Sequence, residues 1–260
     1  MGYKTLFLKA DNSYKDNVSF EDILELYHFD RKLKMLLFDV LLDIENNLKV
    51  NIINQFCSKY GFSEKEYIDK NNYNIHHKYL DKTLTRIGEE ISKRSYDSLA
   101  MEHYMNNYKF CPLWVAMKFL SFGVVKEHFN ILKDDDKFEI RNKIAIDKNL
   151  PIKTLFTYIQ LLADIRNGCA HERIMFNQVH RRIWIPRCAE HSTFRTQYNR
   201  NGNFAVLIAI KNLLDKNDFN NFIDNLSLII NDFLKNTLII TKNDLLAEMH
   251  LPMNYENLKW

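Results

Sequence analysis

Glycine and proline are scarce in this chain, 6 and 4 of 260 residues. Sandwiches, barrels and dinucleotide-binding folds need many tight turns, so the shortage argues against them and for long helices. Long apolar runs are missing as well, since nothing approaches the ~18 residues of a membrane span. Residues 1–17 are broken up by charge and hold no cleavable hydrophobic region, so export is not expected. The four cysteines (Cys57, Cys111, Cys169 and Cys188) lie far apart with no C-x-x-C pair. That argues against a zinc ribbon or a disulfide framework and fits a reducing cytoplasm.

The chain does have the composition of an ordinary globular protein. It is 46% hydrophobic and 27% charged, which excludes wholesale disorder. No repeat or low-complexity linker interrupts it, and one helical domain over 1–260 is the economical expectation. An arm over 1–18, an Arg-rich insertion over 174–203 and a helix with tail over 242–260 elaborate that domain.

Apolar spacing supplies the helices. Ser19, with Asp22 three residues on, predicts an N-cap. Leu33, Leu36, Leu37, Val40, Leu41, Ile44, Leu48, Ile52 and Phe56 step by three and four, predicting a long amphipathic helix ended by Gly61. Residues 70–74 are polar and read as a loop, followed by helices from His77 to Arg94 and from Tyr96 to Asn107. Pro112 suits the first turn of one helix running to about Leu132, and residues 134–136 would cap the next. Pro151 opens a helix with Ile152, Leu155, Phe156, Ile159, Leu162 and Ile165 on one face. Residues 174–203 lack helical period and read as a loop or small hairpin. Helical pattern returns over 204–214, over 219–234 and in a short segment from Lys242.

Charge is unevenly placed. The net charge is only +3, yet residues 166–200 hold seven arginines, no lysine and two acids, Glu172 and Glu190. The balance of +5 in that stretch leaves −2 for the rest of the chain. Arginine, unlike lysine, grips phosphate with a planar, bidentate fork. The same stretch opens on Arg166, Asn167 and His171, crowded at the end of an otherwise apolar helix. C-terminal capping is one account of them: Gly168 would stop the helix while Arg166, His171 and Arg173 complement its dipole.

A second account comes from resemblance. CPLWVAMKFLSFGVVKEHFNIL followed by NLPIKTLFTYIQLLADIRNGCAHERIMFN resembles the central signature of the Abi (abortive infection, AbiD/AbiF-like) family of phage-defence proteins. SFEDILELYHFDRKLKMLLFDVLLDIENNLKVNI resembles that family's first conserved block, with Phe29-Asp30-Arg31 and Ile44-Glu45 as its elements. Together the segments cover residues 19–180 in the family's order; relatives carry a further helical block before the first of them. The resemblance implies an all-α, HEPN-like helical bundle with additional helices. It also implies the HEPN nuclease motif, an Arg, a polar residue and a His, here Arg166, Asn167 and His171 with four intervening positions.

The chemistry of those side chains suits RNA cleavage. Attack by the 2′-hydroxyl needs a base, an acid for the leaving oxygen, and positive charge on the crowded phosphorane. Histidine, titrating near ~6.5, can take or give the proton. Arg166 supplies fixed charge, and Asn167 orients the histidine or a phosphate oxygen. Neither metal nor cofactor is called for, and DNA, lacking the 2′-hydroxyl, is not expected as a substrate. On a continuous helix Arg166 and His171 stand ~140° apart. They converge only if the helix breaks at Gly168 or a second copy completes the site, and HEPN relatives pair two motifs face to face, so a homodimer is expected.

Arg173, Arg181, Arg182, Arg187, Arg195 and Arg200 are the expected RNA-binding residues. Phe176, Trp184, Phe194 and Tyr198 either stack on bases or close a hydrophobic lid over the helices. Glu45 could steady Arg166 or face solvent. Cys169 and His171 with His180, Cys188 or His191 match no familiar metal-site spacing. An RNA endonuclease of toxin or phage-defence type leads; a catalytically silent RNA-binding or scaffold protein, partnered by a small structured RNA or a protein antitoxin, is the alternative.

Overall fold

The computed structural model describes residues 2–94, 98–194 and 200–260. Among them are twelve α-helices and no strand, an all-α fold as the composition and periodicity predict. In chain order these are α1 (Phe20–Tyr60), α2 (Glu64–Ile68), α3 (Leu80–Arg94), α4 (Leu99–Tyr108), α5 (Leu113–Phe119) and α6 (Phe122–Ile131). There follow α7 (Asp134–Ile144), α8 (Ile152–Ala170), α9 (Ala189–Thr193), α10 (Asn203–Leu213), α11 (Lys216–Asn236) and α12 (Lys242–Glu248). No helix among the described residues is long and apolar enough to cross a membrane.

α1 starts and stops where its sequence says. The Ser19 amide donates to Asp22 Oδ2 (2.9 Å) and the Asp22 amide to Ser19 Oγ (3.3 Å), a reciprocal cap. Gly61, at φ +101°, ends the helix in a conformation that glycine adopts without strain. The predicted helix over 112–132 is instead two. Leu120 is extended, and Glu90 on α3 takes both the Ser121 amide (2.7 Å) and its hydroxyl (2.9 Å), starting α6 afresh. The acids of residues 134–136 lie within the first turn of α7, with Lys133 at its N-cap, where they complement the helix dipole. α2 was not foreseen; a Ser63–Glu66 capping box forms it. The helix expected from Tyr96 begins, in the described residues, at Leu99, and Tyr96 itself lies outside them.

The chain forms two compact units. One comprises Met1–Leu42 and Asp164–Trp260. Its centre is α10, in which Asn203 through Ile210 are all buried, as suits a helix apolar on every side. α11 packs against α10 and buries Phe219, Phe222, Ile223, Leu226, Ile230 and Phe233. The described part of 174–203 is irregular apart from α9, with no hairpin ladder. Two backbone bonds close its ends, His180 N–H to Asn201 O (2.8 Å) and Ile185 N–H to Arg200 O (2.9 Å).

The other unit is the contiguous stretch Asp43–Ala163. Here α3 packs on α5 and α6. Asp136, 1% exposed, accepts from Gln55 (3.0 Å), Lys59 (2.8 Å) and Tyr60 (2.7 Å), tying α7 to the end of α1. His128 is fully buried against Phe56 and Tyr73, with the Tyr73 hydroxyl 3.1 Å from its Nε2. Burial pushes this imidazole down to about 4, so it stays neutral in the folded protein. The unfolded imidazole takes up a proton near ~6.5, which the folded one refuses. Stability is therefore unaffected above that pH and falls between it and about 4, by roughly 3 kcal/mol in all. Urea midpoints at pH 7 and pH 4.5 should show the loss in the wild type and a shallower one in His128→Gln; equal slopes would contradict it.

Candidate active site

The end of α8 is a single closed turn. The helix continues through Gly168 to Ala170, the His171 amide donates to Asn167 O (3.0 Å), and the Arg173 amide reaches back to Gly168 O (3.0 Å). Glu172 sits in the left-handed region at φ +54°. This six-to-one bond around a left-handed residue is a Schellman closure. Glu172, not Gly168, therefore ends the helix. The glycine serves another purpose: a Cβ there would lie 2.9 Å from Nε of Arg173, whose side chain folds over that spot.

Because the helix does not break, Arg166 and His171 keep their ~140° separation and one chain does not set them on the same side. Asn167 and His171, one turn apart, do share a side. His171 is exposed, while Arg166 is half-buried with its guanidinium 5.5 Å from the centre of the Phe38 ring. Beside this turn lies a shallow cavity of about 260 Å³ lined by Arg31, Lys34, Met35, Phe38, Cys169 and Glu172, among others.

Two carboxylates hold the turn in place. Asp30 is completely buried and accepts the Tyr3 hydroxyl and the amides of Met175 and Phe176, each at 2.8 Å. Lys34, 5% exposed, lies 3.4 Å from Asp30 and 2.9 Å from Glu172. The chain just beyond the motif is thus pinned to α1. Asp164 lies 2.8 Å from His180 Nδ1 and 3.2 Å from Nη2 of Arg173. The bond from His180, then that from Arg173, outweighs the cost of burial and holds this carboxyl down at about 2. In the sequence Asp30 is singled out only as part of the Phe29-Asp30-Arg31 element of the family resemblance, and Asp164 is not marked as a site residue. A usable signal existed for Asp30, which falls on the apolar stripe Leu26, Phe29, Leu33, Leu37 where a charge must find partners.

The arginines expected to bind RNA divide in two. Arg173 is committed to Asp164, to both its carboxylate and its backbone carbonyl. Arg181, Arg182 and Arg187 are exposed, and Arg200 places its guanidinium 5.8 Å from the Trp184 ring centre. Arg195 and Tyr198 lie outside the described residues. Of the aromatics, Phe176 is fully buried and stacks on Tyr3, and Phe194 packs edge-on against Phe204, so these two close the lid. Trp184 stays 49% exposed.

Glu45, in the unit Asp43–Ala163, is not a solvent-facing acid: it is 3% exposed and pairs with Lys49 at 2.7 Å. Cys169 is buried, its thiol pushed up by burial to about 12. Cys188 Sγ touches His191 Nδ1 at 3.0 Å. Among the described residues no three His, Cys, Asp or Glu side chains gather as a metal site would require.

No curated protein and no solved structure matches the chain significantly. A family model does, over residues 1–177, a span that holds the whole of α1, all of α8 and its closing turn. The protein belongs to the family of Abi-like proteins.

Proposed function

We propose that this protein is a HEPN-type RNA endonuclease of phage defence, working as a homodimer without metal. The family points to abortive infection. The observation that carries the reading is the exposed His171, one turn after Asn167, on a rigid closing turn whose Arg166 faces elsewhere. Such a turn is half a site, and a second copy related by a two-fold axis supplies the other half.

In that site His171 takes the proton from the 2′-hydroxyl, or gives one to the leaving oxygen. The O2′–P bond forms and the P–O5′ bond breaks, leaving a 2′,3′-cyclic phosphate and a 5′-hydroxyl. Arg166 of one copy stabilises the added negative charge on the phosphorane, and Asn167 orients the imidazole or a phosphate oxygen.

The direct test is incubation of the purified protein with labelled RNA and DNA in EDTA. Cleavage of RNA alone, with cyclic or 3′-phosphate ends, is the expected result. Activity that vanishes in EDTA and returns with Mg²⁺ or Mn²⁺ overturns the mechanism. The separation of Arg166 from His171 also favours a second reading, a catalytically silent RNA-binding scaffold, which would bind the same RNA and leave it whole.

The exposed arginines supply grip in either reading. Replacing Arg181, Arg182 and Arg187 together by Gln should weaken RNA binding and flatten its salt dependence, because fewer phosphate contacts release fewer counterions. Melting temperature should hardly move, since exposed arginines contribute little to stability. Anisotropy titrations at several salt concentrations, beside a melting curve, check both halves. A lower melting temperature with an unchanged salt slope would instead assign these arginines to structural ion pairs.

A further inference from the structure

The unit Asp43–Ala163 carries a pocket that the proposed chemistry does not use. It is a cavity of about 310 Å³ walled by α3, α6 and α8. Lys82 and Arg86 stand at its rim, exposed and one helical turn apart on α3. Among the described residues neither forms an ion pair or a hydrogen bond. Like charges four residues apart work against a helix, and a bound anion relieves that repulsion. The one acid of the lining, Glu127, is already neutralised by Lys126 at 2.9 Å.

The walls add two further chemistries. Asn130 and Gln160 face the pocket with side-chain amides that make no hydrogen bond among the described residues. Each amide offers a donor and an acceptor together, the pairing that the edge of a nucleobase presents in return. Thr83, 2% exposed, adds a hydroxyl whose hydrogen bonding is likewise unspent within the described residues. Tyr79, 44% exposed with Lys78 Nζ 4.7 Å from its ring centre on one side, and Phe156 supply aromatic surface for a base. A second cavity of about 500 Å³ shares Asn130 and Phe156 and continues past Lys153 and the half-exposed Phe138. The groove is therefore longer than one nucleotide requires.

Unspent cations, unspent amides and partly exposed aromatic surface in one cavity fit a ligand that carries a phosphate and a base. We propose that this pocket binds a nucleotide, its phosphate on Lys82 and Arg86, its base against Tyr79 and Phe156, and its edge read by Asn130 and Gln160. The nucleotide is either free or one unit of an RNA strand, and the recognition chemistry is the same. The inference stands on this unit alone and holds whether or not the protein cleaves RNA.

Calorimetric titration of the full chain tests it, with His171→Ala and the triple Arg181→Gln, Arg182→Gln, Arg187→Gln change in the background. Those changes keep any RNA intact and remove the competing basic surface. The titrants are AMP, GMP, CMP, UMP, a tetranucleotide RNA and inorganic phosphate. At least one mononucleotide or the tetranucleotide should bind tenfold or more tightly than phosphate. Lys82→Gln with Arg86→Gln should weaken that binding at least tenfold with the circular dichroism spectrum unchanged, and Asn130→Ala with Gln160→Ala should alter the ranking of bases. Binding of mononucleotides assigns a free nucleotide, and binding of the tetranucleotide alone assigns an RNA strand. Nucleotide affinity weaker than about 1 mM, phosphate binding as well as nucleotides, or binding indifferent to Lys82 and Arg86 overturns the proposal.

Discussion

His171→Ala and Arg166→Ala should each lower RNA cleavage by roughly 10²- to 10⁴-fold, the range lost with a proton-transfer group or a transition-state charge partner. His171 is exposed, so its removal leaves no cavity and no stranded partner, and helicity and melting temperature should stay near wild type. Arg166 is half-buried beside Phe38, so its variant is read against a melting curve. A mixture of the two inactive chains gives the sharper result. If each site takes its arginine from one copy and its histidine from the other, mixed dimers contain one intact site and recover a fraction of the activity. Failure to recover, with dimers demonstrably exchanged, would place both groups of a site on one chain. Either variant remaining fully active would place the chemistry elsewhere.

Asp30→Ala should cost ~3–5 kcal/mol of stability, the loss seen when one partner of a buried charged pair is removed. The carboxylate accepts three bonds of 2.8 Å, and its removal strands the amides of Met175 and Phe176 and leaves the nearly buried Lys34 with the exposed Glu172 as its one counter-charge. Asp30→Asn keeps an acceptor but loses the charge, so its penalty should be smaller. Lys34→Met on top of Asp30→Ala should restore part of the loss, because the buried cation that has lost its buried partner goes with it. Chemical denaturation of the four proteins gives the answer. A cost below ~1 kcal/mol for Asp30→Ala would mean that water or a neighbour replaces the carboxylate.

The helices were legible in the sequence wherever one apolar stripe and its own caps decided them. Ser19, Asp22 and Gly61 bound α1 by local chemistry, and the stripe between them is buried as predicted except at Leu36, which is partly exposed. The break between α5 and α6 was not legible, because the acceptor that caps Ser121 is Glu90, 31 residues earlier. The same limit hid the supports of the motif. Arg166, Asn167 and His171 could be picked out by type and spacing. The partners that fix their turn are Asp30, more than a hundred residues away, and Asp164, whose acceptors serve His180 and Arg173 across an irregular loop. Gly168 was misjudged for a related reason: its role depends on where the side chain of Arg173 lies, and spacing alone suggested a helix stop. The pocket of the second unit was not legible, since its residues come from α3 and the residue before it, α6 and α8, and form no motif.

The arrangement of the two units bears on how the protein is made. Asp43–Ala163 is continuous in sequence, so it can collapse as soon as it has left the ribosome. The other unit is split, and Met1–Leu42 must wait for Asp164–Trp260 before Asp30 meets the amides of Met175 and Phe176. Closing so long a span is slow on the scale of local contacts. The turn that carries His171 is therefore fastened only after the whole of Asp43–Ala163 has been made. A nascent chain that has not yet reached Met175 and Phe176 would hold Asp30 without the amides it accepts, and Arg166, Asn167 and His171 without the turn that positions them.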